Sequence, residues 1–241
     1  MNRILFEPAE VDQANGRATF GGVRAEHVRT ILHGAAGQTL RTGIVGGKIG
    51  DATIEEVTSA TVTVRCVHDR DPLPPWCDLV LAPPRPRVMK RLLPQLATLG
   101  VRRIFLVGAE KVEKAFWGAQ MLKPEIYHPL LVEGLMQGAV STQPPEIVQV
   151  RNFARWMTGG AFETAFAGQS RRIFAHPYPT DGETARETAD DGLPVFAVGP
   201  EGGWTDAEVA LLEAHGFRRR SLGPWILKTE TATVALLSVF R

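Results

Sequence analysis

Two glycine–proline segments near the C-terminus carry the residues best suited to hold a small molecule. Residues 199–203 read GPEGG and follow the apolar run 194–198, and residues 221–228 read SLGPWILK. Glycine lets a ligand approach the backbone where a Cβ would collide. A Gly-Gly turn before a helix also occurs without any ligand, so either segment alone predicts only a turn.

Together the two segments predict more, because each lies between a strand-like and a helical stretch. In parallel α/β sheets, ligands bind beyond the carboxyl ends of strands, so both segments can line one pocket. Its polar groups would be mainly backbone amides and carbonyls, which suit an adenine ring and a thioether better than a polyphosphate. The chain contains neither GxGxxG nor GxxxxGK[ST], which disfavours a nicotinamide- or ATP-binding enzyme.

The sequence also predicts where the helices after these segments begin. Thr205 and Glu208 have the spacing of a capping box, in which each side chain bonds to the other residue's backbone. Thr229 or a neighbour is expected to cap the last helix, 229–240. That helix is apolar nearly all round, so it should be buried on several sides. Because no later element follows it in this sequence, a second copy of the chain is the expected partner.

Composition limits the class of protein. Hydrophobic residues make up 44% and charged residues 22%, a globular balance, and no apolar run reaches the roughly 18–20 residues that span a bilayer. Two cysteines outside any CxxC pair fit a reducing cytoplasm, and no residue pattern predicts a metal site. The net charge of +1 does not by itself indicate a nucleic-acid partner. Local clusters such as 85–91 and 218–220 are either phosphate contacts or solvated faces.

The chain is expected to divide into two domains. Residues 1–67 contain five short strand-like stretches and one helix, 25–32, with Val28, Ile31 and Leu32 on a common face, as in a small mixed barrel. Residues 68–76 carry three prolines and read as a linker. Beyond them, apolar strands alternate with helices, which predicts an α/β domain built on a mostly parallel sheet.

The two C-terminal motifs resemble a known family. VGPEGGWTDAEV followed by SLGPWILKTETA is similar to the signature of the ribosomal RNA small subunit methyltransferase E family, within the SPOUT superfamily of trefoil-knotted methyltransferases. RILF, GVRAEHVRTIL and LAPPRPRVMKRLLPQLATLGV give weaker support. The resemblance implies a PUA-like β-barrel domain over 1–70 that recognises RNA and a knotted methyltransferase domain over 75–241. It also implies methylation of uridine N3 in 16S ribosomal RNA, S-adenosylmethionine as cofactor and a homodimer.

Roles can be predicted for individual residues. The resemblance implies that the cofactor-binding residues are Val198, Gly199, Gly202, Gly203, Leu222, Gly223, Ile226, Leu227, Thr231 and Ala232. The RNA-binding residues would be Arg3, Arg29, Arg85 and Arg87. The predicted catalytic residues are Glu201, Glu230 and Lys228.

N3 of uracil carries a proton, so its methylation needs an unpaired or flipped base and a proton acceptor. Glu201 or Glu230 could accept the proton or orient the base; alternatively, both only cap loop backbone. Arg3, Arg85 or Lys228 could stabilise the anion, or could simply be solvated cations. Trp204 and Trp225 could stack on a base, although a role in the hydrophobic wall is the expectation for Trp225.

Several polar positions depart from the family pattern. His33 and Lys228 stand where arginine is usual, Gln95 and Thr98 replace a lysine and a glutamate, and 136–140 lacks an acid and an arginine. These departures keep two alternatives open. The chain could methylate a different RNA, or it could be a non-catalytic RNA-binding or ribosome-assembly protein.

Overall fold

The computed structural model describes residues 1–12, 14–177 and 192–241. These residues form two compact units. The first contains Met1–Pro74 and His128–Pro144, and the second contains Pro75–Tyr127 and Pro145–Arg241. The segment 128–144 therefore belongs with the N-terminal residues. The sequence did not predict that the chain returns to the first unit here. The predicted domain division at 70–75 stays a prediction.

The first unit is built on a six-stranded mixed sheet. The strands are β1 (Ile4–Phe6), β2 (Val11–Asp12), β3 (Arg17–Phe20), β4 (Thr39–Ile44), β5 (Ile49–Val57) and β6 (Val62–Arg70). Helix α1 spans Gly22–Thr30 and a 3-10 turn spans Pro8–Glu10. The sheet order is β1-β4-β5-β6-β3-β2, and only β1 and β4 run parallel. Residues of alternating strand positions, among them Phe20, Ile54 and Val64, join Phe6 and Val28 in the core.

Two expectations for this unit are wrong in part. The helix begins at Gly22 and ends at Thr30, so Ile31 and Leu32 lie beyond it and are 65% and 44% exposed, whereas Val28 is buried. Strand β6 continues to Arg70, which pairs with Ile49 of β5. Residues 68–70 of the predicted linker are polar, but their backbone belongs to a strand that pairs with β5. Within the predicted linker, therefore, only residues 71–76 lie outside a regular element.

The second unit has a six-stranded sheet that is parallel throughout. Its strands are β7 (Cys77–Leu81), β8 (Val101–Val107), β9 (Glu146–Val150), β10 (Arg172–Ala175), β11 (Val195–Val198) and β12 (Phe217–Arg220). The order is β12-β10-β11-β7-β8-β9. Its helices are α2 (Pro86–Thr98), α4 (Phe153–Thr158), α5 (Ala161–Ala165), α6 (Asp206–Ala214) and α7 (Thr229–Phe240), whereas most of α3 (Pro124–Gly138) belongs to the first unit. Short 3-10 turns span Lys114–Gly118 and Gln120–Leu122.

The predicted parallel α/β architecture is confirmed. Every residue of β7 and β11 is buried, as expected for central strands with both faces covered. Strand β9 and helices α4 and α5 were not anticipated, because their sequences are short and weakly periodic. The trefoil knot and the closed barrel remain proposals.

The strand order determines where a ligand would bind. From β7 the chain continues to β8 and then β9 on one side of the sheet, whereas from β11 it continues to β12 on the other side, beyond β10. The direction changes between β7 and β11, which are neighbours. Ligands in such sheets bind beyond the carboxyl ends of the strands at this switch point. The segments that leave β7, β11 and β12 all start from that edge.

Candidate functional site

The two glycine–proline segments meet at the carboxyl edge of the parallel sheet. We call residues 199–205, between β11 and α6, the first loop, and residues 221–228, between β12 and α7, the second loop. The hydroxyl of Thr229, buried at the start of α7, donates a hydrogen bond to the carbonyl of Gly199 at 3.3 Å. The ring of Phe240, at the other end of α7, lies 5.5 Å from that of Phe196 in β11. The last helix is thereby held against the strand that feeds the first loop.

The end of the first loop is fixed by the capping box, which is confirmed. Thr205 Oγ1 accepts a hydrogen bond from the amide of Glu208 at 3.4 Å, and Glu208 Oε2 accepts one from the amide of Thr205 at 2.8 Å. The other oxygen, Oε1, accepts from the amide of Glu110 at 2.8 Å. The buried Glu208 carboxylate therefore connects the start of α6 to the segment after β8.

The predicted cap of the last helix is different. Lys228 occupies the N-cap position of α7, and no side chain accepts a capping hydrogen bond there. The hydroxyl of Thr229 bonds to Gly199 instead. A tertiary contact has replaced the expected local one.

The beginning of the first loop is shaped by Trp204. A Cβ added to Gly199 would come within 3.1 Å of the Trp204 indole ring, so a side chain here would require the ring to shift. The indole is buried against Phe153, with 5.1 Å between ring centroids, and its Nε1 has no hydrogen-bond partner among the described residues. Trp204 is thus the residue of the hydrophobic wall. The expectation that Trp225 has this role is wrong, since Trp225 is 77% exposed.

Glycines at two positions adopt backbone angles that side chains disfavour. Gly203 has φ +68° and Gly223 has φ +107°, both in the left-handed region. Among the described residues, no atom lies within 4 Å of a Cβ built at Gly203, and only the Trp225 ring edge, at 3.9 Å, comes that close at Gly223. Open space therefore lies beside the backbone of both loops. At Gly202, in contrast, the side chain of Lys111 covers the backbone, and its Nζ donates to the Gly202 carbonyl at 2.8 Å.

The predicted cofactor-binding residues surround this space at different depths. Val198 is buried in β11, Leu222 and Leu227 are half-buried in the second loop, and Ile226 is 82% exposed. On the first turn of α7, Thr231 is exposed and Ala232 is half-buried. Apolar side chains left open beside backbone polar groups suit an adenine ring. The binding role of these residues stays a prediction.

The predicted catalytic side chains lie on the same loops, and their roles also stay predictions. Glu201 is exposed, and its Oε1 accepts from the amide of Arg85 at 3.4 Å. Glu230 lies 3.8 Å from the Arg91 guanidinium, and Lys228 is exposed. Glu201 also contributes to a cleft lined by Pro83, Pro84, Arg85, Pro86, Glu113, Ala115 and Phe116. The structure therefore brings a predicted acid and a predicted cation together beside apolar walls.

The predicted RNA-binding arginines differ in how free they are. Arg87 is exposed, Arg85 pairs with Glu113 at 3.2 Å on the surface, and Arg29 donates to the carbonyl of Ser59 at 2.6 Å. Arg3 is buried and donates to three carbonyl oxygens, those of Thr42, Gly50 and Ala139. These contacts give Arg3 a structural role, and its direct contact with RNA stays a prediction that they do not support.

Sequence reasoning missed an ionic cluster at the amino ends of the strands, opposite the loops. Asp78 in β7 is fully buried and accepts hydrogen bonds from the guanidinium groups of Arg102 and Arg103 in β8. Burial raises the pKa of Asp78, but the two arginines more than offset that and hold it below the ordinary value. The strands carry apolar residues around it, so no sequence pattern marks this pair of partners.

The titratable groups exclude one kind of chemistry. Burial raises the pKa of Cys66 to about 11 and also raises that of Cys77, so both thiols are protonated at neutral pH. A protonated thiol is a poor nucleophile, and neither cysteine serves covalent catalysis. Among the described residues no group of His, Cys, Asp or Glu could hold a metal ion, and no helix is long and apolar enough to span a membrane.

Comparison with known proteins decides the family. A family model described as an RNA methyltransferase domain matches residues 71–241. The ribosomal RNA small subunit methyltransferase E of Treponema pallidum is 30% identical over 99% of this chain and 90% of its own length. The chain belongs to the RNA methyltransferase family. The family predicted from the two loop motifs is thereby confirmed.

Other relatives of this RNA methyltransferase carry the same name. The ribosomal RNA small subunit methyltransferase E of Synechocystis is 25% identical, covering 98% of this chain and 76% of its own length. The structure of the enzyme of that name from Neisseria gonorrhoeae, bound to S-adenosyl methionine, matches with a TM-score of 0.73 and 20% identity over 100% of this chain and 96% of that one. At this identity the match shows a shared fold.

Proposed function

We propose that this RNA methyltransferase uses S-adenosylmethionine to methylate N3 of a uridine in 16S ribosomal RNA. The observation that carries the cofactor is the pair of loops at the carboxyl edge of the sheet, joined by the Thr229–Gly199 hydrogen bond. They combine open backbone at Gly203 and Gly223 with exposed apolar side chains. That combination suits an adenine ring, and no phosphate-binding loop motif is present in the sequence.

The proposal includes the architecture implied by the family. Residues 1–70 form a PUA-like barrel that recognises RNA, and residues 75–241 form a trefoil-knotted SPOUT domain. The six-stranded mixed sheet of the first unit supports the barrel. The contact between α7 and the first loop supports a chain end folded back against the cofactor loops. A homodimer completes the proposal.

The chemistry requires a proton acceptor. When bound, S-adenosylmethionine supplies a methyl group on a sulfonium, and transfer of that group to N3 of uracil releases the N3 proton. We assign the acceptor role to Glu201, because its carboxylate lies on the wall of a cleft whose prolines and Phe116 suit a flat base. Arg85 at the same cleft can stabilise negative charge on the uracil carbonyls, with Lys228 as the second candidate.

The assignment of Glu201 predicts a specific kinetic defect. Glu201→Gln should lower methyl transfer by about 100-fold or more, the usual contribution of a general base, with cofactor affinity unchanged. Glu230→Gln tests the other candidate acceptor, and a comparable loss of methyl transfer in that variant alone would move the role to Glu230. Single-turnover transfer of labelled methyl to 16S ribosomal RNA, together with calorimetry, measures both quantities. Equal activity of Glu201→Gln and the unmodified protein would remove Glu201 from the mechanism.

The RNA target is tested by nucleoside analysis. Ribosomal RNA from a strain lacking this protein should lose N3-methyluridine by mass spectrometry, and primer extension should lose one stop in 16S RNA. The departures at Gln95, Thr98 and 136–140 favour one alternative, a methyltransferase for another RNA. Loss of a different modified nucleoside would select that alternative. Absence of any change, with no binding of S-adenosylmethionine, would identify a non-catalytic RNA-binding protein.

A further inference from the structure

A lysine that belongs to neither loop lies against the first one. Lys111 follows β8, and its Nζ donates a hydrogen bond to the carbonyl of Gly202 at 2.8 Å. Its aliphatic stem lies across that glycine, since Cβ, Cγ and Cδ of the lysine are 2.9–3.8 Å from a Cβ built at Gly202. Gly202 was expected to contact the cofactor, but a ligand that approaches it from this side meets the lysine first.

The ammonium of Lys111 stands next to the open part of the first loop. The carbonyl that it contacts belongs to the peptide joining Gly202 to Gly203, which places Nζ within about 6 Å of the Gly203 Cα. The backbone of Gly203 borders open space, because no described atom lies within 4 Å of a Cβ built there. Lys111 is itself exposed. A small molecule in that space can therefore reach the ammonium.

The charge of Lys111 is not neutralised by any carboxylate of the described residues. Its ammonium has three donors, and its hydrogen bond to Gly202 uses one of them on a neutral carbonyl. The acidic residues on the first loop, the first turn of α6 and the segment after β8, none of which pairs with Lys111, are Glu110, Glu113, Glu201, Asp206 and Glu208. Glu113 pairs with Arg85 instead, and both oxygens of Glu208 accept backbone amides. An unpaired cation with acids nearby suits a ligand group that carries both a carboxylate and an ammonium.

We propose that Lys111 binds the carboxylate at the methionine end of S-adenosylmethionine. The proposal rests on the proposed function, in that this molecule is the cofactor. Its carboxylate is its one negative group, and a carboxylate removed from water needs a charged or hydrogen-bonding partner. Because the apolar side chains of the second loop suit the adenine, the amino-acid end is left for the first loop, where Lys111 lies.

The segment that carries Lys111 is held in place without it. The amide of Glu110 donates to Glu208 at 2.8 Å, and the side chain of Val112 is buried. Lys111→Met keeps an unbranched stem over Gly202 and removes only the ammonium with its hydrogen bond. We therefore expect this variant to fold and to keep the first loop in position, so that it reports on the charge.

The test measures, by calorimetry on the full chain, the affinities for S-adenosylmethionine and for decarboxylated S-adenosylmethionine, which lacks only the carboxylate. The unmodified protein should prefer the complete cofactor by roughly five- to twentyfold, as expected for a charge-assisted hydrogen bond at an exposed site. Lys111→Met should bind the two molecules alike, and Lys111→Arg should restore the preference. The matched control is Lys114→Met, which should keep the preference, because Lys114 is an exposed lysine on the same segment that is also free of ion pairs with the described residues.

Three results would overturn the proposal. Lys111→Met could lose affinity equally for both molecules, which is the result for a lysine that only holds Gly202, or it could keep the full preference. The preference could also disappear in Lys228→Met instead, which would move the carboxylate to the second loop.

Failure of the proposed function gives different results. An unmodified protein that binds neither molecule would reject the cofactor, and the Lys111 contact with it. The expected preference, combined with no methyl transfer to 16S ribosomal RNA, would reject the RNA target and leave the assignment of Lys111 standing.

Discussion

At the residue scale, the candidate site depends on glycines whose backbone angles are closed to other residues. Gly223 has φ +107° in the second loop, and Gly37 has φ +87° in the first unit. A side chain on left-handed backbone costs about 1–2 kcal/mol, and relaxing that strain moves the loop. The two glycines therefore form a matched pair. One stands beside the proposed cofactor and the other does not.

We expect Gly223→Val to weaken S-adenosylmethionine binding by about tenfold or more, because a displaced second loop loses contacts and the valine occupies ligand space. Gly37→Val carries comparable backbone strain and should leave cofactor affinity unchanged. Calorimetry measures both affinities, and circular dichroism checks that both proteins are folded. Unchanged affinity in a folded Gly223→Val protein would show that the cofactor does not bind at this loop.

Asp78 makes stability depend on pH. Its pKa is lowered in the folded protein, so its contribution is complete above the ordinary pKa of about 3.9 and is lost as the pH falls through the folded value. Asp78→Asn leaves two arginines without their buried partner and should lower the free energy of unfolding by about 3–5 kcal/mol. Denaturant unfolding at pH 7 and pH 3 measures this loss of stability.

The exposed pair of Glu213 and Arg219 is the control, and Glu213→Gln should lower the free energy of unfolding by less than about 1 kcal/mol. A similar cost for both variants would contradict a structural role for Asp78.

At the element scale, α6 is attached to the sheet through its first turn. Glu208 accepts hydrogen bonds from the amides of both Thr205 and Glu110, so it sets where the first loop ends. Glu208→Gln replaces one accepting oxygen by a donor and leaves a buried amide unpaired, at about 1–3 kcal/mol. Thr205→Ala removes only the cap and should cost about 1 kcal/mol.

Both variants can be followed by thermal unfolding and calorimetry. Glu208→Gln should also weaken cofactor binding, since the first loop loses its anchor to the segment after β8. If Glu208→Gln is no more destabilising than Thr205→Ala, the hydrogen bond to Glu110 contributes nothing to stability.

What the sequence could reveal about these elements depended on the range of the interactions. The capping box of Thr205 and Glu208 was predictable because its partners lie three residues apart. Trp225 was expected in the hydrophobic wall, but it is exposed and Trp204 is the buried tryptophan, because the contact with Phe153 is made by a distant helix. Asp78 and its arginines escaped notice for the same reason. The loop motifs indicated the site, but the hydrogen bond between Thr229 and Gly199 could be found only from the three-dimensional structure.

At the scale of the whole molecule, α7 has apolar residues that its own unit does not cover. Thr233, Leu236 and Leu237 are buried, whereas Val239 is 57% exposed and Val234, Ala235 and Phe240 are half-buried. We propose that this face meets the same face of a second copy around a two-fold axis. This face contains the apolar residues of α7 that do not pack within its own unit. Its burial against a second copy would explain why the helix is apolar nearly all round.

Val239→Glu should therefore give a folded monomer, and so should Ser238→Glu, because Ser238 lies between Val234 and Ala235 on the same exposed face of the helix. Leu237→Asp should fail to fold, because Leu237 is fully buried within its own unit. Light scattering at micromolar concentration distinguishes these results. A monomeric unmodified protein that still transfers methyl groups would exclude an obligatory dimer.

The order of the parallel sheet also governs when the second unit can fold during synthesis. Its central neighbours, β7 and β11, pair Asp78 with Val195, so most of the chain must be made before they meet. Pairings this distant in sequence slow folding, since loop closure costs entropy before the contacts form. At about 5–20 residues per second, β7 leaves the ribosome roughly six seconds or more before β11. During that interval the apolar strand β7 has an unpaired edge, a template for aggregation. Nascent chains arrested before β11 should therefore need a chaperone to stay soluble.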